Sequence, residues 1–110
     1  MRTKKDKALR KSIITEEKAD LIQGTVVELP VTMEFKDSKG VLYASRCSIA
    51  LQCEYGTSPQ TFGETFYIVQ NCELDALLRR DIAHGQPKGE SSCLPLLFSG
   101  QTQGMWLGRR

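Results

Sequence analysis

Hydrophobic and polar positions alternate most regularly after Gly24: Thr25, Val27, Leu29, Val31, Met33 and Phe35 share one phase, and Val26, Glu28, Pro30, Thr32, Glu34 and Lys36 the other. That period of two predicts a half-buried strand over residues 25–35. Pro30 lies on the polar phase and has no N–H for a ladder, so the strand belongs at a sheet edge or bends at that point. Asp37-Ser38-Lys39-Gly40 is a polar cluster ending in glycine, suited to a hairpin connection. On the return, Val41, Tyr43, Cys47, Ile49 and Leu51 share one phase and Arg46, Ser48 and Gln52 the other. A second strand over residues 41–51 is therefore expected, antiparallel to the first.

Glu54 to Glu64, with Gly56, Ser58, Pro59 and Gly63, reads as a loop. Phe66, Tyr67, Ile68 and Val69 have the composition of a strand buried on both faces. Leu74, Leu77, Leu78 and Ile82 then fall at helical spacing, predicting a short helix over residues 74–82. Upstream, Ala8, Leu9, Ile13 and Ile14 can line one stripe of a short helix between Lys4 and Lys18. Residues 84–92 are breaker-rich. Residues 93–98 suit a last short strand that Pro95 would keep at an edge, and the glycine-bearing tail after them presents Trp106 to solvent.

A chain of 110 residues has room for one small domain. Its 40% hydrophobic and 25% charged residues are ordinary for a soluble globular protein. The net charge of +2 hides an asymmetry, because Arg2, Lys4, Lys5, Lys7, Arg10 and Lys11 face only Asp6 near the amino terminus. A solvated, frayed tail is the expectation for these first eleven residues of the basic N-terminal segment, residues 1–19. No aromatic residue is interleaved to stack on bases, so no nucleic-acid partner is expected. No secretory h-region follows the basic residues, and no run approaches the roughly 20 apolar residues of a membrane span. The expected location is cytoplasmic, without membrane contact. Cys47, Cys53, Cys72 and Cys93 lack the spacing of a zinc site, and His84 is the sole histidine. All four are expected to be reduced, and Cys47 and Cys53, some 20 Å apart on one extended strand, are too distant to pair.

Phe66-Tyr67-Ile68-Val69 followed by Asp75-Ala76-Leu77-Leu78-Arg79-Arg80-Asp81-Ile82 resembles the end of a retropepsin-like aspartic protease domain of the retrotransposon and fungal kind. There a Phe-hydrophobic-Val-Val strand precedes Asp-hydrophobic-Leu-Gly-Arg-Asp-hydrophobic. Arg79 stands where that pattern has glycine, so a side chain replaces a close backbone approach. The resemblance implies a mainly β fold, an antiparallel hairpin and further strands with one short helix, like half of a retropepsin-like β-barrel. It implies that Ile13-Ile14-Thr15 is a strand turning through Glu16-Glu17-Lys18-Ala19 into Asp20-Leu21-Ile22, which leaves helix and hairpin both open there. It places the partial domain at residues 20–84, with an inserted loop near 47–64 and a flexible tail at 85–110. Arg80 matches the family arginine that braces the catalytic loop and the subunit contact.

An aspartic protease needs two facing carboxylates sharing one proton, and the family supplies each from an Asp-Thr-Gly or Asp-Ser-Gly loop. Neither tripeptide occurs, and Asp37-Ser38-Lys39-Gly40 is read as a turn. Asp75 and Asp81 are placed away from any cleft. Cys72 and His84 form no recognisable nucleophile pair, and phosphate-binding, nucleophile-elbow and metal motifs are missing. No catalytic, cofactor-binding or metal-binding residue is therefore assigned, no cofactor is expected and no small-molecule ligand is identifiable. The function expected is that of a non-catalytic remnant of a retropepsin-like domain acting through protein contacts, by self-association or with a protein partner. The alternative is an accessory subunit of an unrelated pathway.

Overall fold

The computed structural model describes residues 2–55, 61–82 and 89–95. The chain is mainly β: β1 (Arg2–Lys5), β2 (Ser12–Thr15), α1 (Glu16–Ile22), β3 (Val26–Lys36), β4 (Leu42–Tyr55), β5 (Thr61–Val69), β6 (Ala76–Leu78) and β7 (Gly89–Pro95). The strands lie in the order β3-β4-β5-β2-β6-β1-β7, and β7 also pairs with β4. Strands β4, β5, β2, β6, β1 and β7 thus close into a ring, with β3 outside it on the same edge of β4 that β7 uses further along.

The hairpin forms as the period-two pattern predicts. Val26 pairs with Ile49 and Lys36 with Leu42, and Gly40 takes φ 84 in the turn, which a glycine adopts without strain. Pro30 sits where β3 is both at an edge and irregular, since the register shifts between Glu28 and Met33. The expected inserted loop is instead mostly strand: β4 runs to Tyr55 and β5 starts at Thr61, so the hairpin pattern simply continues.

Two expectations are corrected here. Residues 1–19 are no tail, because β1 pairs with β6 and β7, β2 pairs with β5 and β6, and Leu9, Ile13 and Ile14 are fully buried. The helix expected at 74–82 is absent: Ala76-Leu77-Leu78 is a central strand buried throughout. Its side chains alternate, Ala76 and Leu78 joining one core cluster with Ile14, Ile49, Leu51 and Phe66, and Leu77 joining a second with Leu9, Ile13, Tyr43 and Val69. A fully buried short strand shows no polar phase, so its leucines can imitate a helical stripe. Within residues 93–98, Cys93 to Pro95 belong to β7 and pair with Leu51 to Cys53 of β4, while the β1 pairing of that strand is confined to Gly89 and Glu90, so Pro95 stands where β7 is paired on one side.

The one helix of the described residues follows β2 directly. Thr15 caps it, its hydroxyl accepting from the Lys18 N–H at 3.2 Å, Glu16 and Glu17 occupy the positive first turn, and Gln23 ends it in the left-handed conformation. Ala19 is buried in the first core cluster, with Ile22 packed beside it. A disulfide joins Cys53 to Cys93, which face each other across β4 and β7 with Cα atoms 4.1 Å apart. The expectation of four reduced cysteines is thereby corrected. The partners are 40 positions apart, and only the closing of the ring brings them together. No helix among the described residues is long and apolar enough to cross a membrane.

Candidate functional site

β6 enters the sheet between β1 and β2, running parallel to β1 and antiparallel to β2. The connection from β1 to β2 must therefore loop around the end of β6, and its backbone is laced to that strand: Asp6 N–H donates to Leu78 O at 2.9 Å and Arg80 N–H to Leu9 O at 2.8 Å. Leu9, 1% exposed, pins the loop into the second core cluster. The loop holds a carboxylate, Asp6, between the basic strand β1 and the buried strand β2.

Asp6 is only 7% exposed. Its Oδ1 accepts from the Ala8 N–H at 2.8 Å, and both oxygens accept from the Ser38 N–H at 3.1 Å. The Ser38 hydroxyl donates to Oδ2 at 2.9 Å. Burial alone would raise this carboxyl, but the hydrogen bonds from Ala8, Ser38 and Leu9 outweigh it and hold it below the usual carboxylate range. The tip of the β3–β4 hairpin thus closes directly on the loop.

The turn string Asp37-Ser38-Lys39-Gly40 is a turn, as its residue types imply, yet Asp37 is buried at 7% exposure. Its Oδ1 accepts from the Lys39 and Val41 N–H groups at 2.9 Å, and its Oδ2 from the Tyr43 hydroxyl at 3.0 Å. Desolvation and the Asp37 hydrogen bond push the Tyr43 phenol well above its ordinary range, so it remains a donor. Asp6 and Asp37 border the same small cavity of about 50 Å³ with Tyr43, Cys72 and Leu77, but each carboxylate has its own donors. Among the described residues no carboxyl shares a hydrogen bond with another, so the shared-proton arrangement of an acid–base dyad is not assembled.

The remaining candidates disperse. Asp75 accepts the Arg2 N–H at 2.6 Å and Asp81 pairs with Arg79 at 2.8 Å. The Arg80 side chain is exposed, and what braces the loop is its main-chain N–H. Burial pushes the Cys72 thiol up, disfavouring a nucleophilic thiolate, and His84 lies outside the described residues. Trp106 also lies outside them.

Two further features escaped sequence reasoning. Arg79 forks onto Glu64, whose carboxylate also accepts from the Ser12 hydroxyl. An open groove of about 440 Å³ runs between the hairpin and the end of β5, bordered by Glu16, Tyr43, Arg46, Cys47, Gln70 and Asn71. Asp6 carried a faint signal, a lone acid among bases shortly before the Ile13-Ile14 pair; only the topology shows that it is buried on the loop around β6. No family model, curated protein or solved structure matches the chain.

Proposed function

We propose that the chain is a retropepsin-like β domain that performs no peptide hydrolysis and acts through contacts with other protein chains. The observation that carries this reading is the state of Asp6. Asp6 is a carboxylate on a loop wrapped around β6, and Lys7 and Ala8 follow it, so it heads no Asp-Thr-Gly or Asp-Ser-Gly tripeptide. Both its oxygens are occupied by Ser38, and one also by Ala8. Burial would raise its carboxyl, but those hydrogen bonds hold it below the usual carboxylate range, so at neutral pH it is an ionised acceptor already engaged by protein donors.

Protein contact is supported by the outer hairpin. Val26, Val27, Val31 and Leu42 are 50–73% exposed, and they stand on β3 and on the stretch of β4 that pairs with it. Exposed large apolar side chains are a feature of interaction surfaces. Incubation with a broad peptide library between about pH 3 and 7, the range in which a carboxylate dyad titrates, should give no cleavage. Cleavage blocked by pepstatin and abolished by Asp6→Asn would overturn the proposal.

A further inference from the structure

Five cations gather at the end of the ring where β1, β2 and β6 meet. Lys5 ends β1 opposite Leu78 of β6, Lys7, Arg10 and Lys11 lie on the β1–β2 loop, and Arg80 is tied to that loop by its N–H bond to Leu9 O. All five are exposed, and among the described residues none has an ion pair or a side-chain hydrogen bond. The acids nearby are already committed: Asp6 is buried under Ser38, Glu64 is buried and held by Arg79, and Asp81 is held by Arg79. Asp81 also lies in the field of Arg80, but Lys5, Lys7, Arg10 and Lys11 have no acidic partner among the described residues, and their charge is fixed to a strand end and to a loop anchored by Leu9. A cationic tail would pay an ordering cost on binding that these positions have already met.

We propose that this rim is a docking surface for the phosphate backbone of double-stranded nucleic acid, without sequence preference. The inference is independent of the protein-contact reading. Unpaired lysine and arginine at fixed positions are what backbone recognition uses, through release of condensed counterions. The absence of aromatic residues from the rim, which argues against a single-strand stacking site, leaves duplex binding unaffected. A lipid surface fits less well, because membrane-bound faces interleave apolar side chains with basic ones. Here the exposed large apolar residues, such as Leu21, Val27 and Leu42, lie on other elements.

The test is fluorescence anisotropy of a labelled mixed-sequence DNA duplex of about 20 base pairs, titrated with the full chain from about 50 to 200 mM salt. Binding should appear at the low end, with log K falling against log salt at a slope of about −4, as expected for four or five phosphate contacts. The variant Lys7→Glu/Arg10→Glu/Lys11→Glu should bind at least about 30-fold more weakly, while Lys36→Glu/Arg46→Glu on the hairpin should lose less than about fivefold. Lysine acetylation of the unaltered protein supplies a readout independent of any variant: duplex should shield Lys5, Lys7 and Lys11 and leave Lys36 reactive. The proposal is overturned by no binding at low salt, by equal losses in both variants, by unshielded rim lysines, or by binding to anionic vesicles without binding to duplex.

Discussion

Arg79 grips Glu64 with two nitrogens, Nε 2.8 Å from Oε2 and Nη2 3.2 Å from Oε1, while Ser12 donates its hydroxyl to the same carboxylate and accepts the Arg79 N–H at 3.0 Å. The Glu64 side chain is 6% exposed, so its charge depends on this fork. Arg79→Ala should destabilise the fold by about 3 kcal/mol, because it leaves a buried carboxylate without its partner. Chemical denaturation of Arg79→Ala, Glu64→Ala and the double variant measures the coupling. The double variant should lose less than the sum of the single ones.

The Cys53–Cys93 bridge fastens β7 to β4 and so closes the ring. Reduction, or Cys93→Ser, should lower stability by about 2–4 kcal/mol in the usual disulfide range. Cys47 and Cys72 are free thiols, so replacing both with serine should leave the response to reductant unchanged. Urea midpoints with and without dithiothreitol decide this.

A Cβ on Gly24 would lie 2.8 Å from Ile49 Cδ1 and 3.1 Å from Cγ1, against a side chain buried in the core. Gly24→Ala should cost about 1–2 kcal/mol through overpacking. Gly63→Ala, which meets nothing within 4 Å, is the matched control and should be near neutral in the same thermal melts.

The hairpin could be read from the sequence because each of its strands has one wetter phase and the Asp37 to Gly40 turn marks the reversal. Phe66 to Val69 could be read because the run is short and β-branched or aromatic. β1 could not: only Thr3 of Arg-Thr-Lys-Lys is buried, and what makes it a strand is its pairing with β6 and β7. β6 was hidden for the opposite reason, being buried on both faces. The place of Asp6 depends on those two strands, so the candidate site became visible only with the topology.

Acid should weaken the fold through Asp6 and Asp81, whose carboxyls are lowered. For Asp6 burial opposes the shift and hydrogen bonds from Ala8 and Ser38 win, whereas for Asp81 the Arg79 hydrogen bond is the chief cause. A depressed folded-state pKa stabilises above the unfolded value of about 3.9, and that contribution is lost as pH falls through the folded value. Melting temperatures should be level from about pH 7 to 5 and drop below about pH 4. In Asp6→Asn the drop should be shallower, though the starting stability is lower.

The central claim is that Asp6 is an ionised carboxylate closed over by Ser38 rather than a proton-bearing catalytic group. Its titration by carboxyl-carbon NMR tests this most directly, in the unaltered chain and in Ser38→Gly, which keeps the amide and removes the hydroxyl. The account predicts a midpoint below the ordinary value of about 3.9, shifting upward in Ser38→Gly. An Asp6 that titrates above about 5, or one unmoved by loss of the Ser38 hydroxyl, would contradict it.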